Sequence, residues 1–376
     1  MAVTDYRYLF ADLLTNNIYA ELPLTNVQYG SNLNSAGTFS GEILGTDTRV
    51  DVLDIETWTI PGRTAIYIDR NGVLVWGGII WSRSYNSTTQ KFTFSGREFE
   101  SYFEHRRITA DNYFTIGTDQ LAVIQTLFKQ AQGQTTGSEV FTNPGNIGVI
   151  VGSETSGQTL TANYPIYAYE RRPILDAVRE LSAQAKPYGF DFNIVVSYVS
   201  NVPTKSLKLD YPKTGTSWSA TLASAPVLEL PGNMVEYEYP EDGNNVANTI
   251  YAYGAGSPPG QYISTQTDTA QIAAGWPIAE NTVSYSNIIN TQIVDSMALS
   301  LINAQSQPIT VIKITWDANV SPEMGTFAIG DEFRIRIKDS RFPTGLDIVR
   351  RLSSYVVHAG ENGPERITGS FIVPLV

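Results

Sequence analysis

The sequence contains no cysteine, and its only two histidines, His105 and His358, lie far apart. The absence of cysteine excludes disulfides, thiolate metal sites and cysteine nucleophiles. Two distant histidines are too few for a multi-histidine metal centre. No basic start precedes an apolar run, so no signal peptide is expected, and no uncharged apolar run is long enough to span a bilayer. We therefore expect a soluble chain, made in the cytosol, without a metal.

Basic residues are also scarce: 25 Lys and Arg stand against 37 Asp and Glu, for a net charge of −12. Proteins that grip phosphates normally present a basic surface, so this balance argues against nucleic-acid binding. Charged residues make up only 16% of the chain, whereas Thr, Ser, Asn, Tyr and Gly are abundant. That composition favours β-structure with many turns. The length of 376 residues predicts two to three domains.

The first hundred residues predict strands almost throughout. The clearest hairpin spans Thr64 to Ile80, with its turn at Asn71-Gly72. Gly77-Gly78 interrupts the returning apolar strand, which predicts a bulge or a sharp corner. A second hairpin is expected with Asn86 to Thr89 at its tip and Lys91 to Ser95 as the returning strand.

Apolar residues at helical spacing predict three helices. Asp119 is placed to cap the first, which would end at Gly133. Pro173 opens the second, which would end near Pro187, and the third covers roughly Thr291 to Ala304. The predicted apolar faces are Leu121, Ile124 and Phe128; Leu175, Val178 and Leu181; and Ile293, Met297, Leu301 and Ala304.

These elements divide the chain into a first β domain at 1–112, an inserted α+β domain at 113–225 and a second β domain at 226–376. The second β domain carries a long loop and helix excursion at 254–304, and its stretch Gly254 to Trp276, rich in Gly, Pro, Ser and Thr, is interpreted as part of that excursion. The two β domains share a layout, but their identity is too low to infer a repeat from the pattern. Later strands are predicted at Phe190–Val199, Ser206–Tyr211, Val235–Tyr239, Ala247–Tyr253, Ile309–Trp316, Glu332–Lys338, Leu346–His358 and Glu365–Val373.

Nucleotide-binding motifs are absent or broken. The run from Tyr253 to Gly260 begins like a dinucleotide loop, but Pro259 stands where the third glycine belongs. Two prolines there block the helix whose N-terminus would hold phosphate. The sequence has no phosphate-binding loop ending in Gly-Lys-Ser and no Gly-x-Ser-x-Gly nucleophile elbow. We expect no cofactor and a plain loop at this place.

Carboxylate clusters offer the remaining chemistry. Glycoside hydrolysis needs two carboxylates across a cleft. In an acidic chain such clusters arise from composition, and a solvated face is the expected interpretation. The candidates are Asp51, Asp54 and Glu56, and Glu98, Glu100 and Glu104.

Two further groups have weaker claims. The sequence Glu104-His105-Arg106-Arg107 is interpreted as a salt-bridge group at a domain junction, and His358 as packed or exposed in its strand. Calcium could find oxygen ligands at two places, but neither follows the spacing of an EF-hand loop. Those oxygen-bearing residues are Asp242, Asn244 and Asn245, and Asp47, Asp51 and Asp54.

Three short stretches carry a family resemblance. They are GRTAIYIDRNGVLVWGG at Gly62 to Gly78, FSGREFESYFEHRRI at Phe94 to Ile108, and IGDEFRIRI at Ile329 to Ile337. The first resembles a barrel wall, the second the segment leaving that barrel, and the third the opening of a second barrel. Together they resemble the minor tail proteins, or tail hubs, of siphophages infecting Actinobacteria, which are related in fold to the hub of contractile-tail baseplates.

The resemblance implies a mainly β fold with an α+β insert and two tail-tube-like β-barrel domains per chain. It implies a homotrimer whose six barrels match a hexameric tail tube, at the tail tip of a virion. The implied partners are the distal tail protein, the tail tube and tape measure proteins and downstream tip or fibre proteins, with DNA only in passage. Larger relatives carry a peptidase or lysozyme domain after the barrels. This chain stops at Val376, so we expect no enzyme, catalytic residue or cofactor.

Two other functions remain open. A receptor- or carbohydrate-binding tail-tip protein would need an aromatic platform, whereas the six tryptophans are scattered through the sequence. A glycan-cleaving tail enzyme would need a carboxylate pair across a cleft. For the hub, the acidic surplus is expected in part to line the DNA passage, from Glu42 to Asp54 and from Glu236 to Asp242. The alternative is that the surplus only keeps the free subunit soluble.

Overall fold

The computed structural model describes residues 4–49, 51–134, 145–184, 189–218, 224–308, 310–360 and 364–373. The fold is mainly β, as the sequence predicted. The first β region contains β1 (Tyr6–Asp12), β2 (Ile18–Glu21), β3 (Thr25–Asn32), β4 (Thr38–Leu44), α1 (Val52–Trp58), β5 (Thr64–Arg70), β6 (Val73–Asn86) and β7 (Lys91–Glu98). The short helix α1 lies where only strands were expected.

The middle of the chain is mixed α and β. It contains α2 (Glu100–His105), β8 (Asn112–Phe114), α3 (Gln120–Gln132), β9 (Val149–Val151), β10 (Tyr164–Ile166), a 3-10 turn (Ala168–Glu170), α4 (Ile174–Ser182), β11 (Asp191–Val199) and β12 (Val202–Asp210). Local signals set these helix ends. The Asp119 carboxylate accepts the Leu121 N–H at 2.9 Å, and Gly133 ends α3 with φ +64°. Pro187, the predicted end of α4, lies outside the described residues.

The remainder contains the second β region and the excursion within it. The elements are β13 (Val227–Leu230), β14 (Met234–Glu238), β15 (Thr249–Tyr253), β16 (Ile263–Thr267), α5 (Thr269–Ala273), β17 (Glu280–Ser284), α6 (Thr291–Gln305), β18 (Ile312–Asp317), β19 (Glu332–Ile337), β20 (Leu346–His358) and β21 (Arg366–Ile372). Within the excursion, the stretch from Gly254 to Trp276 contains β16 and α5, two elements that the sequence did not predict. β16 pairs with β15, which also pairs with β17.

In the described part of the chain, the two β regions share one continuous sheet of thirteen strands. Its main path runs β14-β18-β21-β20-β3-β4-β7-β6-β5-β1-β2, with β19 beside β20 and β13 beside β19. β20 of the second region pairs antiparallel with β3 of the first, from Ser354 opposite Asn32 to His358 opposite Gln28. We call this pairing the intrachain joint. The described strands do not close into a barrel.

The strand order in the two regions is the same. The first region has the order β3-β4-β7-β6-β5-β1 and the second β14-β18-β21-β20-β19-β13. In each series the first five positions are taken by the first, second, fifth, fourth and third strands in chain order. All of these neighbours are antiparallel. The sixth differs, since β1 is antiparallel to β5 whereas β13 is parallel to β19. Topology therefore shows a duplication that sequence identity does not.

The long strands β6 and β20 also carry an irregularity at the same place. The ladder between β6 and β7 shifts between Ile80 and Ser82, and the ladder between β20 and β21 shifts between Leu352 and Ser354. The bulge predicted at Gly77-Gly78 therefore lies on either side of these glycines. One register shift follows them, between Ile80 and Ser82 in the ladder with β7, and another precedes them, opposite Ile68 and Asp69 in the ladder with β5. The glycines serve close approach instead, because a Cβ on Gly78 would lie 2.3 Å from the Arg97 carbonyl oxygen.

The described residues form two hydrophobic cores. One joins the inner faces of both β regions around Trp76 and Trp316, and the other joins the insert, the excursion and the outer side of the first region. The predicted faces of α3 and α4 are buried as expected. In α6, Ile293 and Met297 are buried as predicted. Ala304, which was also expected in the core, is exposed, and Ile302 is buried instead. No helix in the described part of the chain is long and apolar enough to cross a membrane.

Candidate assembly interface

The intrachain joint is closely packed. Tyr29 on β3 and Val357 on β20 are fully buried, and Ser31 is nearly so. An ion pair crosses between the same two regions, since Arg70 at the end of β5 donates to the buried Glu365 before β21 at 2.8 Å. Tyr6 also contacts Glu365. The two β regions therefore form one body by strand pairing and by charge.

Besides β2 and β13, which pair only with β1 and β19, two further strand edges of the sheet have no strand beside them in the described part of the chain. The segment Ser82 to Asn86 of β6 pairs with β7 on one side, and β5 reaches only as far as Ile79 on the other. Among the described strands β14 pairs only with β18 and stands at one end of the sheet. Tyr85 is 51% exposed and Val235 48% exposed on these edges. Such edges are normally covered or blunted, because an open ladder promotes pairing with another chain.

A buried ion pair ties the insert to both β regions. Asp191, the first residue of β11, contacts Arg351 of β20, and both side chains are almost completely buried. The same carboxylate accepts the Asn34 amide N–H at 2.8 Å and the Thr214 N–H at 2.8 Å. Arg351 also donates to the Gly330 carbonyl oxygen at 3.0 Å. These hydrogen bonds give partners to most polar atoms of the two side chains, whose charges would be costly to bury alone.

The predicted carboxylates Glu98 and Glu100 come together inside this junction. Glu98 accepts from the Gly37 N–H at 2.6 Å and from Ser31, and Glu100 accepts from the Ile194 N–H. Burial raises the pKa of Glu100 to about 7, and burial together with the Glu100 charge raises the pKa of Glu98 well above its usual range. Both are buried and bound to backbone or hydroxyl groups, which suits a packed junction better than the two sides of a cleft.

The Glu104 to Arg107 group lies at a domain junction, as interpreted from the sequence. Glu104 forms ion pairs with Arg97 of β7 at 2.5 Å and with Arg179 of α4 at 2.9 Å, so it links the first β region to the insert. His105 takes no part in this ion pair. Its ring lies 4.6 Å from that of Trp81, centroid to centroid.

The remaining sequence candidates do not converge on a site. After Tyr253 the chain turns back, with the Gly254 N–H donating to the Tyr262 carbonyl oxygen at 2.9 Å, and β16 follows instead of a helix. Asp47 is paired with Arg49 at 2.6 Å, and Asp242 accepts the N–H of Asn244 at 2.8 Å. Asp54 and Glu56 lie on α1. Among the described residues no three His, Asp or Glu side chains are grouped to hold a metal. His358 is exposed at the end of the intrachain joint.

A cluster of tyrosines on the insert was not expected from the sequence. Tyr113 on β8 and Tyr169 in the 3-10 turn are 67% and 77% exposed. The ring of Tyr167 lies between them, 6.0 Å from that of Tyr113 and 5.4 Å from that of Tyr169. Asp111 accepts the Ala168 N–H at 2.7 Å, which fixes the turn beside the strand. The sequence pattern does not reveal the cluster, because Tyr113 and Tyr169 are 56 positions apart and meet only in the fold.

Lys205 of β12 is a second unexpected feature. It is fully buried and donates to the carbonyl oxygens of Ile147 at 2.6 Å and Leu13 at 3.4 Å, with its amine 4.7 Å from the Phe99 ring centre. Burial lowers its pKa to about 7. It borders a cleft of about 250 Å³ that is also lined by Asn16. The amine thus holds together loops of the first β region and of the insert.

The fold is that of phage tail proteins of known structure. A 43 kDa tail protein of prophage MuSo2 from Shewanella oneidensis matches with a TM-score of 0.61 at 12% identity, over 98% of each chain. The tail protein from Neisseria meningitidis MC58 matches with a TM-score of 0.58 at 12% identity, over 98% of this chain and 96% of that one. Prophage tail protein gp18 from Listeria monocytogenes EGD-e matches with a TM-score of 0.54 at 13% identity, over 97% and 94%. Neither a protein-family model nor a curated protein sequence matches the chain.

Proposed function

We propose that the chain is a structural, non-catalytic phage tail protein that forms a trimeric hub at the tail tip. The observation that carries this proposal is the duplicated strand order, which gives one chain two copies of the same five-stranded unit. Three chains then supply six units, the number needed to continue a hexameric tube. A closed ring would also cover strand edges that are open in the single chain. The fold shared with phage tail proteins supports the same function.

In this proposal each β region forms part of a tail-tube-like barrel, and the insert lies outside the ring. One face of the hub joins the tail tube, with the distal tail and tape measure proteins. The other face carries the downstream tip or fibre proteins, as in the siphophages of Actinobacteria that the sequence resembles. The protein would then be a component of the virion.

DNA would pass through the ring without binding to its wall. Each contact between a basic residue and a phosphate adds affinity through counterion release, so a conducting wall should be acidic or neutral. Exposed Glu236 and Glu238 on β14 are candidates for that wall. Assembled tails that carry Glu236→Lys should then eject DNA more slowly than the native tails. Unchanged ejection kinetics would favour the simpler explanation that the acidic surplus keeps the free subunit soluble.

The mass of the purified protein in solution tests the trimer. Light scattering or sedimentation should give three times the mass of one chain, and tails carrying the protein should show threefold density at the hub. A stable hexamer, or a single chain within assembled tails, would contradict the proposal.

A second candidate function, binding of a carbohydrate receptor, is favoured by the tyrosine cluster on the insert. Exposed aromatic rings with polar hydroxyl ends suit amphipathic ligands. A glycan array would test this function. Binding that is lost in Tyr169→Ala but retained in the exposed-site control Val73→Ala would support it, and no binding to any glycan would contradict it.

A further inference from the structure

We propose that Glu238 at the end of β14, together with residues 239–242 that follow the strand, pairs with Ser82 to Asn86 of β6 in a second copy of this chain. The inference rests on the proposed ring and names the surfaces that close it. Its basis is the intrachain joint, which uses the corresponding strands of the duplicated units. β20 corresponds to β6 and β3 corresponds to β14, because each pair holds the same place in the strand order.

The strands of the two β regions correspond residue by residue. Ser370 lies opposite Ser354 in the second region, as Ser95 lies opposite Ser82 in the first, so Ser354 corresponds to Ser82. His358, four residues on, then corresponds to Asn86. In the same way Lys313 opposite Ser370 corresponds to Ser40 opposite Ser95.

The correspondence extends to β14 and β3. Glu238 pairs with Lys313 as Gln28 pairs with Ser40, so Glu238 corresponds to Gln28. His358 lies opposite Gln28 in the intrachain joint. The new joint should therefore place Asn86 of one copy opposite Glu238 of the next.

Burial agrees with a missing partner at these two edges. In the intrachain joint, Tyr29, Gly30 and Ser31 are buried by the strand beside them. The corresponding residues Pro240 and Glu241 are exposed, and Tyr239 is only half-buried. On the other strand Tyr355 and Val357 are buried, whereas Tyr85, which corresponds to Val357, is exposed. Corresponding residues are thus buried in the intrachain joint and exposed at the two open strand edges.

Charge also favours this register. Tyr355 opposite Ser31 in the intrachain joint corresponds to Arg83 opposite Glu241 in the new one. Opposite charges facing each other across two strands stabilise the pairing. Arg83 is half-buried and donates to the Glu56 carbonyl oxygen at 2.7 Å and to the Thr59 hydroxyl at 3.1 Å, whereas Glu241 forms an exposed pair with Arg341 at 3.1 Å. Each side chain would therefore share or exchange a present partner when the new joint forms.

Pro240 is compatible with the joint but changes it locally. It corresponds to Gly30, whose carbonyl oxygen accepts the Trp76 indole N–H at 2.9 Å. Since the N–H and C=O of one strand residue point the same way, Gly30 directs its peptide groups away from β20, and a proline in its place loses no hydrogen bond to that neighbour. A Cβ on Gly30 would lie 2.2 Å from the Tyr355 carbonyl oxygen, so the new joint should be wider at Pro240.

The two surfaces are different, so their contact is head to tail, and a ring forms if the rotation closes. Three copies would alternate three intrachain joints with three new ones. The six joints would then be nearly equivalent, as the six units are.

Engineered disulfides test the pairing directly, because the chain has no cysteine of its own. Asn86→Cys with Glu238→Cys should give covalent dimers and trimers on a non-reducing gel after mild oxidation. Gln28→Cys with His358→Cys calibrates the geometry, since it should form a disulfide within one chain. Two residues that lie opposite each other in an antiparallel ladder without hydrogen bonds between them have Cα atoms about 4.5 Å apart, a distance that a disulfide can span. Asn86→Cys with Val235→Cys is the control for register and should give little covalent product.

The outcomes separate the two proposals. A protein with the mass of a trimer that forms the Gln28–His358 disulfide but no covalent dimer or trimer through Asn86 and Glu238 would overturn the pairing and leave the hub intact. A preference for the Val235 variant would overturn the register. A single-chain mass for the native protein, in solution and in tails, would instead remove the ring itself.

A charge exchange gives a second readout without oxidation. Arg83→Glu should raise the concentration at which the trimer dissociates by about tenfold, and Arg83→Glu with Glu241→Arg should recover most of that loss. No recovery in the double variant would contradict the opposition of these two side chains.

Discussion

Arg351 and Asp191 form an ion pair in which the side chains are only 0% and 3% exposed, although 160 positions separate them in the sequence. The pair joins β20 to the first residue of β11, so it fixes the insert on the shared sheet. Removing one partner from a buried pair costs about 3–5 kcal/mol, because the other charge stays buried without compensation. We expect Asp191→Ala to lower the free energy of unfolding in urea by an amount in this range.

The exposed pair between Arg334 and Asp347 provides the control. It lies at 2.6 Å, but its side chains are 20% and 48% exposed. Water screens such a pair, so Asp347→Ala should cost no more than about 1 kcal/mol. Equal losses in the two variants would mean that the burial of Asp191 and Arg351 has no energetic consequence.

Phe128 on α3 is expected to be essential for the core of the insert. It is fully buried, with its ring centre 4.4 Å from that of Phe103 on α2. Phe128→Ala should lower the free energy of unfolding by about 3–5 kcal/mol through lost burial and the cavity left behind. The exposed Tyr169→Ala should change it little. A melting temperature that Phe128→Ala does not alter would contradict the packing of α2 on α3.

The elements that the sequence predicted well are those fixed by neighbouring residues. Asn71 and Gly72 have φ of +55° and +84°, as a tight hairpin turn requires, and Asp119 caps α3. These signals act over a few positions. The polar strand β16 was missed because its sequence, ISTQT, has little apolar alternation to mark it.

The joint between the two β regions could not be predicted in this way. β20 lies more than three hundred positions from β3, and their pairing depends on the whole sheet being assembled. The correspondence of Glu238 with Gln28 is likewise a property of strand order, since the two segments have little sequence in common. The residues of the proposed interface therefore emerge only from the topology.

The buried carboxylates predict an unusual dependence of stability on pH. Burial raises the pKa of Glu100 to about 7, so the folded chain holds a proton that the unfolded chain releases near pH 4.5. The contribution of Glu100 is thus fully present below pH 4.5 and is lost as the pH rises toward 7. Glu100→Gln should flatten this fall, by up to about 1.4 kcal/mol per pH unit. Urea unfolding between pH 4.5 and 8 measures the slope.

The pKa of Glu104 is shifted in the opposite direction to that of Glu100. Burial alone would raise its pKa, but hydrogen bonds from Arg97 and Arg179 hold the pKa below its ordinary value. Its contribution is therefore present at neutral pH and lost on acidification. Glu104→Gln should destabilise the protein more at pH 7 than at pH 4. The same pH slope in both glutamine variants would be inconsistent with these environments.

Lys205 should add a dependence at higher pH. Burial lowers the pKa of its amine from 10.5 to about 7, and the attraction of the Asp12 carboxylate offsets this only in part. Between pH 7 and 10.5 the unfolded chain binds a proton that the folded chain has released, so stability should rise with pH in that window. Below pH 7 both states are protonated, and Lys205 should contribute no slope.

The variant Lys205→Met removes the titrating group while keeping a side chain of similar length. We expect the rise in the free energy of unfolding between pH 7 and 9 to disappear, and it should persist in Lys208→Met, whose lysine is exposed on the same strand. The carbonyl oxygens of Ile147 and Leu13 lose their donor in Lys205→Met. The stability of this variant at pH 7 therefore combines the loss of two hydrogen bonds with the gain from removing a buried amine. The slope isolates the charge, because the hydrogen-bond loss is the same at every pH. A slope that survives in Lys205→Met would show that the buried amine keeps its proton throughout this range, held by the two carbonyl oxygens and the Phe99 ring.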